Sequence, residues 1–458
     1  MRLSAAQLEA LPANIARPGY DRDARGIGIV HFGIGAFHRA HMAAYTDNAM
    51  AAGAGDWRIL GVSLRSPAVR DQMRVQDGFY TLVERSAGGS KARIIGAVTD
   101  VLVASEERER LNAALAAPTT HIASFTITEK GYCRAPDGSL DLALADDHSA
   151  FSYLAEAFAR RKAAALPGLT LLSCDNLAGN GAQLKRLIGD YLAARAPALV
   201  DWFEGQCTCP STMVDRIVPA TTDADRADIE SLIGLRDEAA VVTEPFSQWV
   251  IEDNFFGPRP AWELHGAQIT SDVHAYETAK LRMLNGAHSA LAYLGLKRGH
   301  HYVHQAIADP ALAPLIGQLM REEAAASLTP APGQDLNAYA DALIERFNNP
   351  ALNHRLAQIA MDGSQKIPQR WLETLAFHQA HGRQCPAILS SLAAWLGHIR
   401  GDNGAVDDPL ARALKAVWDQ AGADGIVPAL FGPATLMASG WHPSDAEAAF
   451  IRAAICAN

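Results

Sequence analysis

Residues 27–41 read IGIVHFGIGAFHRAH, an apolar run that ends at two glycines and leads into a helical pattern. Gly33 permits a tight turn directly after the run, and Gly35 lets the backbone approach a pyrophosphate. The helix predicted to begin at about Phe37 would offer its free N–H groups to the phosphates. His38 replaces the third glycine of the usual pattern. The stretch therefore predicts a dinucleotide-binding turn, with a ligand-free strand-to-helix turn as the alternative.

Two features beside this turn bear on the cofactor. His38 and Arg39 follow the glycines and are expected either to contact phosphate or to lie on a solvated helix face. The end of the second predicted strand reads VSLRSPAVRDQM, where an acid would bind the ribose hydroxyls of NAD. No acid precedes Asp71, and Arg65 is placed to pair with a 2′-phosphate. We expect NAD as cofactor, with NADP as the alternative.

The first half of the chain alternates apolar, β-like runs with helical stretches. Strand candidates lie at residues 27–32, 58–64, 80–84, 94–103, 121–128, 169–174 and 213–219. This alternation is typical of an α/β architecture with a mainly parallel sheet. From about residue 272 the segments are rich in Ala and Leu at helical spacing, as at 311–326, 336–347, 389–399 and 410–421. We predict a dinucleotide-binding α/β domain over residues 1–271 and a mainly helical domain over residues 272–458.

Composition excludes several classes of protein. The 458 residues have 49% hydrophobic and 20% charged side chains and a formal charge of −10, which argues against nucleic acid as the main partner. No apolar run approaches the ~20 residues that span a bilayer, so no membrane partner is expected. The opening MRLSAAQLEALPANIARPGY makes a poor signal peptide, so we expect a cytoplasmic protein. Six cysteines with one lone Cys-x-Cys predict neither a disulfide framework nor a zinc site.

A lysine lies within an apolar helical pattern at residues 276–295, YETAKLRMLNGAHSALAYLG. At ~100° per residue, Asn285 falls at about 140° and His288 at about 80° from Lys280, so the three share one side of a helix. Burial would lower the lysine pKa from its usual ~10.4 towards the range of a general base. The asparagine amide and the imidazole can donate hydrogen bonds to an alkoxide. The group predicts metal-free oxidation of a secondary alcohol, with a surface-reaching lysine beside satisfied core polar groups as the alternative.

Further candidates are polar residues near strand ends or in a polar segment. Asp175 and Asn176 follow the predicted strand at 169–174, at the carboxyl end where open α/β sheets bind ligands, and Asp215 lies in MVDRIVP. Their alternative is turn formation and helix capping. Lys366 and Arg370 in MDGSQKIPQR, residues 361–370, are spaced to engage an anionic or hydroxyl-rich ligand, with a solvated loop as the alternative.

Seven motifs together resemble the polyol-specific long-chain dehydrogenases, the mannitol dehydrogenase family. They are IGIVHFGIGAFHRAH (27–41), TITEKGY (126–132), LLSCDNLAGNG (171–181), MVDRIVP (213–219), EDNF (252–255), RPAWELHGAQ (259–268) and KLRMLNGAHSALAYLG (280–295). The resemblance runs from about residue 26 to about residue 375. It implies a Rossmann-type domain followed by a largely helical domain, a metal-independent reaction and a site in the cleft between them.

The resemblance also implies a role for each matching residue. Lys280 would be the general base in alcohol oxidation and the acid in ketone reduction. Asn285 and Asn176 would form an oxyanion hole, and His288 would orient a substrate hydroxyl. Asp215 would contact the substrate or the catalytic network. Gly33 and Gly35 would hold the dinucleotide, while the oligomeric state stays open.

The substrate divides the family into polyol dehydrogenases and hexuronate reductases. Mannitol-type members tend to have an arginine eight residues before the lysine of D-G-S-x-K, where this chain has Gln358. The forms GAFHRAH and AMDGSQKIPQR are more similar to fructuronate reductases. A uronate site needs a cation, for which Arg370, Lys366 and Arg355 are candidates. We expect a polyol–ketose pair first and a hexuronate second.

Two other classes of protein compete with this interpretation. A metal-dependent hydrolase or lyase would use HHYVH, where His300 and His304 are spaced i, i+4 for a shared ion on a helix, although no acid completes the motif. A surface histidine cluster is the alternative. A sugar- or nucleotide-binding protein without catalysis would be stabilised by a dinucleotide but would transfer no hydride.

Overall fold

The computed structural model describes residues 1–53 and 55–457. The chain divides into two compact units, Met1–Val273 and His274–Asn458. Strands are confined to the first unit among the described residues. They are β1 (Ile27–Phe32), β2 (Arg58–Ser63), β3 (Tyr80–Ser86), β4 (Gly89–Ile95), β5 (Val98–Val103), β6 (Ile122–Phe125), β7 (Thr170–Ser173), β8 (Thr212–Asp215), β9 (Val241–Thr243), β10 (Gln248–Glu252) and β11 (Gln268–Thr270).

The main sheet of the first unit is parallel, in the order β5-β2-β1-β6-β7. Counted along the chain, this is the 3-2-1-4-5 order of a Rossmann sheet, whose direction reverses beside β1. Phe32 pairs with Val62 on one side and with Phe125 on the other. β6 and β7 are buried throughout, as parallel strands covered by helices on both faces should be. The predicted fold class is confirmed.

Helices cover both faces of this sheet. Val30 and Phe32 pack into a core shared with α4, α6 and α7, while Ile29 faces the other side and packs with α2. The helices of the first unit are α1 (Ala36–Ala40), α2 (Met42–Ala52), α3 (Ala68–Arg74), α4 (Arg108–Leu115), α5 (Thr128–Gly131), α6 (Ala150–Ala163), α7 (Asn180–Arg195), α8 (Val200–Gln206) and α9 (Asp223–Ile233). Short 3-10 turns lie at Ala5–Ala10, Pro197–Leu199 and Trp262–His265.

The single strand predicted over residues 94–103 is wrong. It is divided between β4 and β5, which belong to different sheets, β4-β3-β9 and the main sheet. The division falls at Gly96, whose N–H donates to Asp47 Oδ1 at 2.9 Å. A Cβ on Gly96 would lie 2.7 Å from the Pro18 ring, so only glycine fits there. The strand predicted at 213–219 is likewise shorter, and it pairs antiparallel with β10 in a third sheet, β11-β10-β8.

The second unit is helical in its described residues. Its α-helices, with α10 starting at the last residue of the first unit, are α10 (Val273–Ala279), α11 (Gly286–Lys297), α12 (Val303–Ile307), α13 (Ala313–Gln318), α14 (Leu336–Phe347), α15 (Leu356–Ile359), α16 (Gly363–Ile367), α17 (Glu373–Ala380), α18 (Pro386–Arg400), α19 (Ala411–Leu430) and α20 (Asp445–Cys456). Three π-helical turns interrupt them, π1 (Lys280–Asn285), π2 (Leu319–Ala324) and π3 (Pro368–Leu372). Two 3-10 turns lie at Ala325–Ser327 and Pro350–Leu352.

The apolar spacing of this half explains its helices. α14 has the bounds that the pattern at 336–347 predicts, because Ala340, Leu343 and Phe347 form its buried side. The solvated loop considered for residues 361–370 is not found, since α16 and the first part of π3 cover that segment. Across residues 1–53 and 55–457, the helices are all too short or too polar to cross a membrane.

Close packing in the second unit gives a stability test at Gly363. A Cβ there would lie 2.5 Å from both Trp395 Nε1 and the Tyr293 hydroxyl oxygen. Both aromatic side chains are buried, so Gly363→Ala should lower the free energy of unfolding by about 1–3 kcal/mol. Gly317→Ala on α13 meets nothing within 4 Å and should raise it by up to about 1 kcal/mol. Denaturant unfolding measures both, and equal stabilities of the two variants would contradict the packing argument.

Candidate active site

The glycine turn lies at the end of β1, next to β6. Gly33 has φ +95°, and a Cβ on it would lie 2.0 Å from the Thr126 carbonyl oxygen. The Gly33 N–H donates to Val62 C=O of β2 at 2.8 Å. A Cβ on Gly35 would find its nearest atom 3.9 Å away. The turn is closed against β6 at Gly33 and open at Gly35, which fits a pyrophosphate approaching the backbone.

A histidine and a threonine hold the Gly33 carbonyl in place. The Thr126 hydroxyl donates to Gly33 C=O at 2.6 Å and therefore accepts from His31 Nε2 at 2.9 Å. His31 Nδ1 then accepts from the Ser124 hydroxyl at 2.8 Å. This network needs a neutral imidazole, and burial lowers the pKa of His31 to about 3. Sequence reasoning passed over both residues, although each is a polar side chain in or just after an apolar strand.

The residues after the glycines differ in their access to a ligand. Phe37 is half-buried and stacks on His41 with ring centroids 5.0 Å apart. His38 is fully buried and stacks on His31 at 3.4 Å, so its ring is neither open to phosphate nor on a solvated face. Arg39 is also buried, above the Tyr80 ring. Both side chains are therefore buried, and neither lies on the solvated helix face considered as the alternative.

Two residues that the sequence did not single out cap the short helix α1. The Tyr80 hydroxyl donates to Arg39 C=O at 2.6 Å, and Arg216 Nη1 donates to Ala40 C=O at 2.5 Å. Arg216 also pairs with Glu84 Oε1. Because α1 ends after five residues, its last carbonyls need partners outside the helix. A local sequence pattern cannot predict these partners, because they lie far from α1 in the sequence.

Three polar candidates at the ends of β7 and β8, Asp175, Asn176 and Asp215, differ in their burial and contacts. Asp175 accepts hydrogen bonds at 2.9 Å from the N–H groups of Ile127 and Thr128, so it joins the ends of β7 and β6. This contact between strand ends differs from the turn formation and helix capping considered as the alternative for Asp175. Asn176, the next residue, is exposed. Asp215 is the buried last residue of β8.

The end of β2 presents an arginine where an acid would select NAD. Arg65 is exposed two residues beyond β2. The Ser63 hydroxyl donates to Ser66 C=O at 2.6 Å, which folds the chain into a turn before α3. The turn leaves the Arg65 side chain on the surface.

The segment of Lys280 is not a regular α-helix. π1 continues α10 into α11, and the Gly286 N–H donates to Leu281 C=O, five residues back. A π-helical hydrogen bond joins residues i and i+5, so Lys280 and Asn285 lie close to one face. The separation of about 140° expected from α-helical spacing is therefore wrong. His288 follows Asn285 by three residues on α11, a spacing that keeps side chains adjacent.

His288 lies half-buried among aromatic and basic groups of the same unit. Its ring is 4.9 Å from the Phe347 ring and 5.1 Å from the His354 ring. Burial, His354, Arg346 and Arg370 together hold the pKa of His288 well below its usual value. The imidazole is therefore neutral near pH 7, with one nitrogen to donate and one to accept.

The basic residues of 361–370 are half-buried on helical segments. Lys366 Nζ donates to Met361 C=O at 2.5 Å, and its pKa is lowered chiefly by burial. Arg370 Nη1 donates to Ser289 Oγ at 2.7 Å and to Asn285 C=O at 3.2 Å. Burial lowers the pKa of Arg370 to about 10, so it stays cationic at neutral pH.

The histidines of HHYVH do not share a helix. His300 precedes α12, and its Nε2 lies 3.0 Å from Asp309 Oδ2, whereas His304 is on α12. Within the described chain, no three His, Cys, Asp or Glu side chains are grouped to hold a metal ion. The i, i+4 pair considered for a metal-dependent hydrolase is therefore wrong.

Each of the two units contains a match to a known protein domain. The mannitol dehydrogenase Rossmann domain matches residues 27–264, and the mannitol dehydrogenase C-terminal domain matches residues 272–431. The D-mannonate oxidoreductase of Escherichia coli (strain K12) is 40% identical over 91% of this chain and 90% of its own length. The mannitol 2-dehydrogenase of Pyrenophora tritici-repentis is 39% identical over 91% of this chain and 77% of its own.

A solved structure has the same fold. The Pseudomonas fluorescens mannitol 2-dehydrogenase, in a ternary complex with NAD and D-mannitol, is 34% identical, covers 99% of this chain and 96% of its own, and superposes with a TM-score of 0.79. The fold, the family match and the named relatives together define an oxidoreductase with a dinucleotide-binding domain. The chain belongs to the mannitol dehydrogenase family.

The Thr126 hydroxyl gives a test of the glycine turn. Thr126→Val removes its bonds to Gly33 C=O and His31 while keeping the shape of the side chain. Dinucleotide binding should weaken about tenfold, as expected for one to two lost hydrogen bonds, in a fluorescence titration with NADH.

Thr120→Val is the matched control for that test. Thr120 donates to Ala114 C=O at 2.7 Å, away from the turn. The Thr120→Val variant should have a lower free energy of unfolding but the parental affinity for the dinucleotide. Equal affinity in both variants would show that Thr126 does not hold the turn.

Proposed function

We propose that this protein interconverts a sugar alcohol and its ketose with NAD as the hydride carrier. When bound, NAD accepts the hydride from the alcohol carbon and returns it in the reverse direction. Gly33 and Gly35 would hold its pyrophosphate, with Phe37 beside them. Support comes from the open backbone at Gly35 and from the relatives of this chain, one of which was solved with NAD and D-mannitol.

The π1 turn is the observation that carries the proposed chemistry. Lys280 and Asn285 lie close to one face of it, and both are half-buried. Lys280 takes the proton of the substrate hydroxyl as general base and returns it in ketone reduction. The Asn285 amide donates to the developing alkoxide. No metal ion is needed, because a proton acceptor and an oxyanion donor stand side by side.

Five further residues are assigned roles in the proposed reaction. His288 is neutral, so it orients a substrate hydroxyl by one hydrogen bond without a charge of its own. Asn176 as a second oxyanion donor, Asp215 as a substrate or network contact and Lys366 as a substrate contact follow from the family resemblance and the polar character of their segments. Arg65, exposed after β2, would donate hydrogen bonds to the 2′-phosphate if NADP is also used.

A hexuronate is the second candidate substrate. Arg346 and Arg370 both lower the pKa of His288, which places positive charge around that imidazole. A substrate carboxylate would be stabilised by this charge, whereas a hydroxymethyl end gains little from it. The 40% identity to a D-mannonate oxidoreductase supports the same candidate. Arg355, exposed before α15, is a further cation for it.

Replacing Lys280 tests the proposed general base. Lys280→Ala should lower kcat by at least about 100-fold at every pH from about 7 to 9, because no other group takes the hydroxyl proton. Dinucleotide affinity should change little. Lys297→Ala, which removes a lysine bonded to Ala454 and Ala457 C=O, is the control and should keep the parental kcat. Parental turnover in Lys280→Ala would exclude Lys280 as the base.

A reduction screen separates the two substrate classes. Fructose, xylulose, fructuronate and tagaturonate are each supplied with NADH or NADPH, and loss of reduced-cofactor absorbance is followed. A polyol dehydrogenase should reduce the neutral ketoses with the higher kcat/KM. A preference of about tenfold or more for the uronates, worth about 1.4 kcal/mol, would favour the second candidate. No reduction of any of them would contradict both.

A further inference from the structure

The π1 turn is held by another irregular turn. π-helical turns are rare and occur mostly as single turns, frequently at functional sites. In the described part of the second unit, π1 packs against both π2 and π3. At Gly286, the residue after π1, an added Cβ would be in ordinary van der Waals contact with π3, 3.5 Å from both Arg370 O and Trp371 Nε1. The geometry of π1 is therefore set by tertiary contacts as well as by its own hydrogen bonds.

Side chains of π3 donate to the end of π1. Arg370 Nη1 reaches Asn285 C=O at 3.2 Å, and Trp371 Nε1 reaches Gly286 C=O at 3.2 Å. A carbonyl oxygen has two lone pairs, so each can accept such a bond in addition to one within the helix. Arg370 is further fixed by Ser289 Oγ at 2.7 Å. The two bonds hold the backbone of the residue that presents the proposed oxyanion donor.

The other side of π1 is anchored separately. Arg282 Nη1 donates to Ser327 C=O at 2.9 Å, and its Nη2 lies 2.8 Å from Glu373 Oε2. Met283 and Leu284 are buried in the core of the unit. With its opposite side fixed, π1 has little freedom to rewind into a regular α-helix. Rewinding would place Lys280 and Asn285 about 140° apart.

We propose that Arg370 and Trp371 are positioning residues, which hold π1 in the conformation that brings Lys280 and Asn285 to one face. The proposal rests on the proposed function of Lys280. It adds a positioning role to the positive charge that Arg370 contributes beside His288. Neither residue moves a proton, so this positioning effect reaches the reaction through Lys280 and Asn285.

Trp371→Phe is the principal test. The substitution keeps an aromatic ring in the core but removes the indole N–H, and with it the hydrogen bond to Gly286 C=O. We expect kcat to fall about 3- to 10-fold, the effect of one hydrogen bond, with the dinucleotide KM unchanged. Trp418→Phe is the control, because Trp418 is also buried in this core and its Nε1 has no partner. It should keep the parental kcat.

A second pair of variants tests Arg370. Arg370→Lys retains a donor for Asn285 C=O or Ser289 Oγ, whereas Arg370→Met retains none. We expect kcat to decrease from the parent through Arg370→Lys to Arg370→Met. Equal kcat in the two variants would overturn the role of Arg370.

A triple variant distinguishes positioning from general damage. In a background that lacks both side chains, Lys280→Ala/Asn285→Ala, Trp371→Phe should cause no further fall in residual turnover, because its effect acts through those two residues. An equal fold-change in both backgrounds would overturn the proposal, as would parental kcat in Trp371→Phe alone. Parental kcat in Lys280→Ala would overturn the proposed function and this inference together.

Discussion

No side chain beyond hydrogen fits at residue 33, and the dinucleotide-binding unit depends on that constraint. Gly33 combines a left-handed φ with a near contact to the Thr126 carbonyl, so β1 can turn directly against the end of β6. The sheet reverses its strand order at this point, which is where open α/β sheets bind ligands. The His31–Thr126 pair then fixes the Gly33 carbonyl and, with it, the start of α1.

Two histidine rings, His31 in the first unit and His288 in the second, are kept neutral. His31 has its pKa lowered by burial, and His288 by burial together with neighbouring basic groups, so both rings are neutral near pH 7. A neutral ring can donate on one nitrogen and accept on the other, which a cation cannot do. His31 uses both nitrogens to support the turn. The neutral His288 ring can likewise donate a hydrogen bond to a substrate hydroxyl or accept one from it, because a hydroxyl group is both a donor and an acceptor.

The helical unit gains its irregular geometry from packing. The backbone conformation of a π-turn is less favourable than that of an α-helix. Tertiary hydrogen bonds from Arg370, Trp371 and Arg282 offset this cost in π1. In return, π1 places two side chains that are five residues apart, Lys280 and Asn285, close to one face. A regular helix offers such neighbours only at spacings of three or four. The side chains of Lys280 and Asn285 are therefore brought closer together when the backbone departs from α-helical geometry.

The amino-acid sequence alone determined the strand at Ile27–Phe32, the glycine turn after it, the helix Leu336–Phe347 and the fold class, because apolar periodicity and glycine conformation act over a few residues. Spacing and position in the sequence singled out the candidate site residues, and the family resemblance implied a role for each of them. Only the tertiary structure decided that Gly96 divides the run at 94–103, that His38 is buried, that Asp175 joins two strands and that π1 is not α-helical. Each of those outcomes depends on an atom distant in sequence, such as Pro18 beside Gly96 or Trp371 beside Gly286, and no local pattern contains that information.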